Sequence, residues 1–191
     1  PTTACSECGA GSIAENGAGT GAVSSAATVC TSCAVGQYSS ASTIACAPCD
    51  AGSVTDTLAE AGASNCPSCP AGQSSPSSDQ QCTDCSPTTY QPQPSQPSCI
   101  DCDAGKYLDT EGNDDASDCE DCECGKYSES LGATAMDTCL DCGAGKYAPY
   151  TGNDEQADCV LCAKGKYFTL PGQCADPCVD CDAGKYSADG A

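Results

Sequence analysis

Residues 139–147 read CLDCGAGKY, a stretch in which a CxxC cysteine pair is followed by Gly-x-Tyr. The 191-residue chain carries ten CxxC pairs, separated by steps of 16 to 25 residues. Their first cysteines are Cys5, Cys30, Cys46, Cys66, Cys82, Cys99, Cys119, Cys139, Cys159 and Cys178. Self-similarity at a short period predicts an array of repeats in which each repeat contacts mainly its neighbours.

The composition excludes a single large hydrophobic core. Val, Ile, Leu, Met and Phe together supply 17 of the 191 residues, and Trp is absent. The 22 cysteines exceed the level that is typical of disulfide scaffolds, which form in oxidising compartments. We therefore expect an extracellular or cell-surface location. No apolar run approaches the ~20 residues of a membrane span, and we interpret the chain as a segment of a longer polypeptide.

The acidic residues are distributed unevenly. Residues 1–98 carry seven acids and no lysine, whereas residues 99–191 carry 20 acids and all six lysines, which gives a net charge of −21. We therefore predict two halves of the array: the lysine-free residues 1–98, which include a proline-rich connector at 87–97, and residues 99–191, with a period near 20 residues and repeated GKY motifs. An acidic surface repels phosphate groups, so nucleic acid is not an expected partner.

Zinc binding is the main alternative use of the cysteines, because two CxxC pairs roughly 15–20 residues apart have the spacing of a four-cysteine zinc site. However, the sequence contains no histidine, and aspartate precedes the second cysteine of five pairs, where its charge disfavours a thiolate. Every pair also stands at about the same step from both neighbours, whereas four-cysteine sites join pairs two by two. We therefore expect disulfides, and neither zinc nor an organic cofactor.

The order of the cysteines suggests how they pair. The two cysteines of one CxxC would close a very small ring, so each is expected to pair outward. The simplest scheme joins the second cysteine of one pair to the first cysteine of the next: Cys8–Cys30, Cys33–Cys46, Cys49–Cys66, Cys69–Cys82, Cys85–Cys99, Cys102–Cys119, Cys122–Cys139, Cys142–Cys159 and Cys162–Cys178. A bridge over a ~15-residue loop stabilises by about 3 kcal/mol in the chain-entropy model. The sequence alone does not prove this connectivity.

Four cysteines stand outside this scheme: Cys5, Cys124, Cys174 and Cys181. One alternative pairing near the C-terminus uses two of them: Cys122–Cys139, Cys124–Cys142, Cys159–Cys174 and Cys162–Cys178. A direct Cys124–Cys174 bond would have to span two repeats, which is too far in a straight array. Intermolecular bonding is the third option. Of the three, we favour the alternative pairing.

A glycine and a tyrosine follow most pairs at fixed distances. Glycine lies three residues after the second cysteine in nine of the ten repeats, and Thr88 occupies this position in the tenth. This regularity predicts a turn with positive φ or a close backbone contact. Tyrosine follows two residues later in seven repeats, where its ring can cover a disulfide while its hydroxyl reaches solvent.

The pattern C-x-x-C-x-x-G-x-Y, followed by about ten residues before the next pair, resembles the ephrin-receptor-like cysteine-rich repeat. It is also similar to the smaller modules of tumour-necrosis-factor-receptor cysteine-rich domains, and the resemblance covers essentially the whole chain. It implies small disulfide-rich repeats, in which short β-hairpin modules with little helix stack into an elongated rod. Such repeats serve as receptor stalks and ligand-binding arms. Long arrays also occur in extracellular coats and flagellar hairs (mastigonemes) of algae and other protists.

Two kinds of segment suggest additional chemistry. The proline-rich residues 87–97 favour an extended connector and are candidates for proline hydroxylation and O-glycosylation, as in a surface glycoprotein. The candidate positions are Pro87, Thr88, Thr89, Pro92, Pro94 and Pro97. The acidic loops at 109–118 and 151–158 raise the option of calcium binding, although neither follows the EF-hand pattern.

Catalysis has no evident basis in the sequence, which lacks histidine, arginine, a nucleophile–base triad and a phosphate-binding loop. We expect a structural, non-catalytic protein that assembles with copies of itself or related chains into a filament, a hair or a surface coat. The alternative is a receptor or adhesion ectodomain that binds a protein ligand. That alternative requires exposed Trp, Tyr or Arg anchors, for which Tyr150 and Phe168 are the candidates.

Overall fold

The computed structural model describes residues 7–15, residue 27 and residues 29–190. We name each module by the two bonded cysteines at its ends. The modules are 1 (8–30), 2 (33–46), 3 (49–66), 4 (69–82), 5 (85–99), 6 (102–119), 7 (122–139), 8 (142–159) and 9 (162–178), and module 10 begins at Cys181. The chain forms two compact units, residues 1–85 with 91–99 and residues 86–90 with 100–191.

Short antiparallel hairpins are the regular structure of both units. In the residues that the structure describes, sixteen strands pair in sequence order, β1 with β2 through β15 with β16, into eight two-stranded sheets. The strands are β1 (Ser12–Glu15), β2 (Val29–Ser32), β3 (Gln37–Tyr38), β4 (Ala47–Pro48), β5 (Gln73–Ser74), β6 (Thr83–Asp84), β7 (Thr89–Tyr90), β8 (Ile100–Asp101), β9 (Lys106–Tyr107), β10 (Glu120–Asp121), β11 (Lys126–Tyr127), β12 (Leu140–Asp141), β13 (Lys146–Tyr147), β14 (Val160–Leu161), β15 (Lys166–Tyr167) and β16 (Val179–Asp180).

The hairpin of β9 and β10 illustrates how the sequence motif builds each module. Gly105 has φ +78°, in the left-handed region that glycine adopts without strain, and it turns the chain into β9. The dipeptide between the two cysteines of the next pair then forms β10. Tyr107 lies opposite Glu120, and Lys106 lies opposite Asp121. The ammonium group of Lys106 contacts the carboxylate of Asp121 at 2.5 Å.

Three single-turn 3₁₀ helices lead into the first cysteines of three pairs in the second unit. They cover Ala116–Asp118, Met136–Thr138 and Gln156–Asp158. The described residues contain these 3₁₀ helices but no α-helix. None of the described helices is long and apolar enough to cross a membrane.

The hydrophobic core consists of small clusters at the junctions between modules. In one cluster, Tyr107 of module 6 packs with Ala133 and with the Cys122–Cys139 bridge of module 7. In the next, Tyr127 of module 7 packs with Ala148 and the bridge of module 8. Because each of these clusters packs a disulfide against one tyrosine ring, the modules are stabilised without a large apolar core. Together with the hairpins, this confirms the predicted class of small disulfide-rich repeats.

Candidate functional site at the module junctions

Ten disulfides in the described part of the chain define how the modules are closed. Nine of them join the two ends of modules 1–9, with Cα–Cα distances of 5.6–5.9 Å. These nine pairs are the ones in the scheme drawn from the order of the cysteines. Eight of the CxxC pairs, from Cys30/Cys33 to Cys159/Cys162, therefore close one module with their first cysteine and open the next module with their second.

The tenth disulfide corrects the sequence-based alternative. Cys124 bonds to Cys174 with a Cα–Cα distance of 4.8 Å, and Cys142 bonds to Cys159. The alternative pairs Cys124–Cys142 and Cys159–Cys174 are therefore wrong, and the objection that a direct Cys124–Cys174 bond spans too great a distance is wrong as well.

Cys124 can bond to Cys174 because modules two steps apart are in contact in the second unit. A Cβ atom added to Gly125 of module 7 would lie 2.5 Å from the backbone of Gly172 in module 9. Gly105 of module 6 meets Gly152 of module 8 in the same way, also at 2.5 Å. In a straight array only immediate neighbours would touch, whereas the close contact of Gly125 with Gly172 brings modules 7 and 9 within disulfide distance.

A repeated pair of backbone hydrogen bonds connects consecutive modules. In module 6, the carbonyl of Gly105 accepts from the amide of Cys122 at 2.8 Å, and the amide of Gly105 donates to the carbonyl of Ser128 at 2.8 Å. The carbonyl at this position accepts from the second cysteine of the next pair at nine junctions. The acceptors are Gly11, Gly36, Gly52, Gly72, Thr88, Gly105, Gly125, Gly145 and Gly165. The glycine predicted to form a turn thus also forms the junction.

Thr88 adopts the glycine conformation without being glycine. Its φ is +86°, its amide donates to Leu108 and its carbonyl accepts from Cys102 at 2.8 Å. The left-handed region costs an L-residue roughly 1–2 kcal/mol, and a β-branched side chain is a genuine outlier there. Module 5 therefore forms the same junction hydrogen bonds as the other modules, but its backbone is strained at Thr88.

Replacing Thr88 with glycine is expected to raise the free energy of unfolding by up to about 1 kcal/mol, because the relief of strain exceeds the added chain entropy of glycine. Urea unfolding followed by near-UV circular dichroism measures the change. The control is Thr89→Gly in the extended strand β7, which is expected to destabilise. A T88G variant that is no more stable than the original chain would contradict the interpretation.

Tyr107 is a junction tyrosine whose hydroxyl bonds to a carboxylate across its hairpin. Its side chain is 9% exposed, and its hydroxyl donates to Glu120 Oε2 at 2.5 Å. This hydrogen bond, assisted by desolvation and by the charges of Glu120, Asp109 and Glu123, raises the pKa of Tyr107 to about 12. At the equivalent position of module 7, Tyr127 lies opposite Leu140 and has no such carboxylate partner across the hairpin.

We expect one tyrosine to ionise near pH 12 in an alkaline titration followed by absorbance of the phenolate. Because folding raises this pKa above its unfolded value of about 10, the stability that Tyr107 contributes is complete below pH ~10 and is lost as the pH rises through 12. The variant Glu120→Leu, which copies Leu140, should remove the late ionisation. A late tyrosine that persists in E120L would contradict this assignment.

The acidic loops proposed for calcium use several carboxylates to hold their own backbone. Asp118 Oδ2 accepts from the amide of Asp115, and Asp115 Oδ1 accepts from the amide of Ser117 at 2.8 Å. The bonds from Ser117 hold the pKa of Asp115 below its usual value. In the residues that the structure describes, no group of three or more His, Cys, Asp or Glu side chains is placed to hold a metal ion.

The remaining predicted positions differ in exposure. In the proline-rich connector, Pro92, Pro94 and Pro97 are exposed, whereas Pro87, Thr88 and Thr89 are half-buried. Of the two candidate ligand anchors, Tyr150 is 75% exposed and Phe168 is half-buried. Cys181 is half-buried and carries a free thiol. Cys5 lies outside the described residues.

Comparison with known families identifies part of the array. Residues 72–119 match the family model described as tyrosine-protein kinase ephrin type A/B receptor-like. This segment contains modules 5 and 6 and most of module 4. No curated protein matches the sequence. The same cysteine pairing, glycine turn and hairpin continue beyond the matched segment through modules 7–9. The chain is an array of cysteine-rich, disulfide-closed modules, and residues 72–119 of this array are similar to the ephrin-receptor-like family.

Proposed function

We propose that the chain is an extracellular, non-catalytic structural protein, a building block of a filament, a hair or a cell-surface coat made from copies of itself or related chains. The observation that carries this proposal is the junction that recurs in one form at nine positions. Because the same carbonyl forms the junction hydrogen bond at nine positions, the array can be extended by further modules through the same contact. The ten disulfides and the ephrin-receptor-like match support the extracellular location.

The distribution of chemically active groups supports a structural role. Among the described residues, 20 cysteines are bonded in pairs, the carbonyls of eight turn glycines accept backbone hydrogen bonds at the junctions, and the side chains of Tyr107 and Tyr127 are 9% exposed. A receptor arm would instead be expected to present a cluster of exposed aromatic or arginine anchors. Tyr150 is the one exposed member of the predicted anchor pair.

We further propose that the connector carries hydroxyproline or O-linked sugar at its exposed prolines Pro92, Pro94 and Pro97. These side chains are accessible to a modifying enzyme. The half-buried Pro87, Thr88 and Thr89 offer less access and are weaker candidates.

Electron microscopy of the protein from its natural source tests the proposed function. We expect polymers in which this chain contacts identical or related chains, with a repeat spacing along the polymer. Sedimentation of the native extract provides an independent size. A native protein that is monomeric at micromolar concentration, anchored in a membrane and bound to a non-identical ligand would overturn the structural role in favour of the receptor alternative.

A further inference from the structure

The Cys124–Cys174 disulfide differs from the other bridges of the second unit in its access to solvent. Cys174 is exposed and Cys124 is half-buried, so neither cysteine is buried. The other four bridges of this unit each contain a cysteine that is at most 5% exposed. Because thiol–disulfide exchange requires that a thiolate reach a sulfur atom, an external thiol has readier access to this bridge than to the buried ones.

The same bridge holds a segment that has little other support. Residues 174–177, which we call the strap, make no backbone–backbone hydrogen bond in the described structure. Modules 6, 7 and 8 have a 3₁₀ turn just before the first cysteine of the next pair, whereas the described residues of module 9 have none. Within the strap, Asp176 Oδ1 accepts from the amide of Cys178 at 2.9 Å. The disulfide is therefore what attaches the strap to module 7.

The contact between modules 7 and 9 does not depend on the disulfide alone. The backbone of Gly172, which precedes the strap, lies against Gly125. The amide of Gly172 also donates to the carbonyl of Cys142 at 2.9 Å. Since the nine bridges that close modules 1–9 use other cysteines, cleavage of Cys124–Cys174 should free the strap and leave the modules folded.

A second bridge without a buried cysteine, Cys8–Cys30, has a different support. Cys30 lies in β2, which pairs with β1 over four residues. This ladder holds β2 in place when the bridge is cleaved, so the two thiols stay close and re-form the bond. No strand pairing of the described residues holds the strap in this way. Exposure and weak support therefore coincide at Cys124–Cys174.

We propose that the Cys124–Cys174 bridge is a site of reversible modification by an external thiol, and that its cleavage releases the strap from module 7. The sulfur that the thiol attacks is Sγ of Cys174, the more exposed cysteine of the two. The array thereby contains one tether that responds to reductant, a property that goes beyond the proposed structural role.

The chemical step is a thiol–disulfide exchange in two stages. A thiolate attacks Sγ of Cys174, the sulfur–sulfur bond breaks, and the thiolate of Cys124 leaves. A second thiolate then attacks the outer sulfur of the mixed disulfide and frees the thiolate of Cys174. The protein bridge gains two electrons and two protons, and two molecules of the external thiol become one small disulfide.

The charges beside the bridge favour a cationic thiol. Glu123 precedes Cys124, and Asp176 is two residues from Cys174. Neither carboxylate forms an ion pair among the described residues, and the nearby Lys126 is already paired. Uncompensated carboxylates repel an approaching thiolate and attract an ammonium group. Cysteamine should therefore react faster than glutathione, whose net charge is negative.

Stepwise reduction of the full 191-residue chain by cysteamine tests the proposal. Free thiols are first capped with N-ethylmaleimide, and the thiols that appear during reduction are labelled with iodoacetamide. Mass spectrometry should find Cys124 and Cys174 labelled at least roughly tenfold faster than Cys142 and Cys159, the buried bridge that serves as internal reference. Acid quenching at early times should trap the mixed disulfide on Cys174.

Hydrogen exchange measures the release of the strap. The amide of Ala148 donates to the carbonyl of Gln173, which adjoins the strap, and should exchange at least roughly tenfold faster after cleavage. The amide of Cys142, which donates to Gly125, should remain protected. Addition of cystamine, the disulfide of cysteamine, should restore the bridge and the slow exchange. The matched control is Cys124→Ala/Cys174→Ala, in which Ala148 should exchange fast without any thiol.

Two charge variants test the class of thiol. Glu123→Gln and Asp176→Asn should each reduce the rate ratio of cysteamine to glutathione at least roughly threefold, after correction for the thiolate fraction of each thiol. Glu60→Gln, in module 3 of the first unit, should leave the ratio unchanged. A ratio that is the same in all three variants would refute the preference for a cationic thiol.

Three outcomes would overturn the modification site itself. The first is labelling of Cys142 and Cys159 as fast as that of Cys124 and Cys174. The second is a mixed disulfide that forms mainly on Cys124. The third is loss of the near-UV circular dichroism spectrum during the first cleavage, which would mean that the bridge holds the fold rather than the strap.

Discussion

Replacing Gly105 with alanine is expected to destabilise the second unit by about 2–5 kcal/mol. The residue has φ +78°, which costs an L-residue roughly 1–2 kcal/mol. The new Cβ atom would lie 2.5 Å from the carbonyl oxygen of Gly152, a backbone atom that cannot rotate away. Overpacking of this kind costs roughly another 1–3 kcal/mol. Because both contributions act at one junction, the contact between modules 6 and 8 should be lost.

Gly165→Ala is the matched control for this change. Gly165 has φ +79° and the same place in its module, but a Cβ atom there would meet nothing within 4 Å. Only the backbone strain applies, so the expected cost is about 1–2 kcal/mol. Urea unfolding followed by near-UV circular dichroism gives both values. If the free energy of unfolding falls equally in the two variants, the close contact between modules 6 and 8 contributes nothing to stability.

Removal of the Cys142–Cys159 bridge by a double alanine substitution is expected to cost about 3–5 kcal/mol. The bridge closes a sequence separation of 17 residues, for which the chain-entropy model gives about 3 kcal/mol. Both cysteines are also buried in the cluster with Tyr127 and Ala148, so their truncation leaves a cavity in one of the few packed regions.

The double variant Cys124→Ala/Cys174→Ala provides the comparison. The Cys124–Cys174 bridge closes a sequence separation of 50 residues, against 17 for Cys142–Cys159. If chain entropy alone set the stability, removing the longer loop would lower the free energy of unfolding by about 1 kcal/mol more. However, Cys174 is exposed and Cys124 half-buried, and neither belongs to a buried cluster. We therefore expect the smaller loss of stability here, with the junction hydrogen bonds retained.

Amide hydrogen exchange with mass spectrometry checks both double variants. Loss of the Cys142–Cys159 bridge should deprotect the amides of Cys142 and Cys162, which donate across the junctions of module 8. Loss of the Cys124–Cys174 bridge should leave these amides protected. A larger loss of stability in the Cys124–Cys174 variant would mean that loop length outweighs packing in this chain.

The local structure of each module could be predicted from sequence because its determinants lie close together in the chain. Glycine three residues after a cysteine indicates positive φ, and the structure places Gly105 at +78° and Gly125 at +80°. Thr88 shows that the position matters as much as the residue type, because it adopts φ +86° despite its branched side chain. The rings of Tyr107 and Tyr127 pack against disulfides, as the fixed spacing suggested, although each covers the bridge of the following module. Tyr167, by contrast, is 44% exposed.

The pairing of cysteines within modules follows the same logic. A sequence separation of 13 to 22 residues is short enough that connectivity can be reasoned from order along the chain. The hydrogen bond from Tyr107 to Glu120 had no sequence signal of its own, because the register that places the two side chains opposite each other is set by the folded hairpin.

The sequence by itself therefore determined the disulfide-rich class, the repeated glycine turn and the closure of each module, since all three depend on residues within about one period. Only the tertiary structure decided that Cys124 bonds to Cys174 across 50 residues and that Gly105 lies against Gly152. These contacts depend on the angle at which one module follows the next. That angle arises from the backbone hydrogen bonds and packed rings of every intervening junction, and no single residue type encodes it.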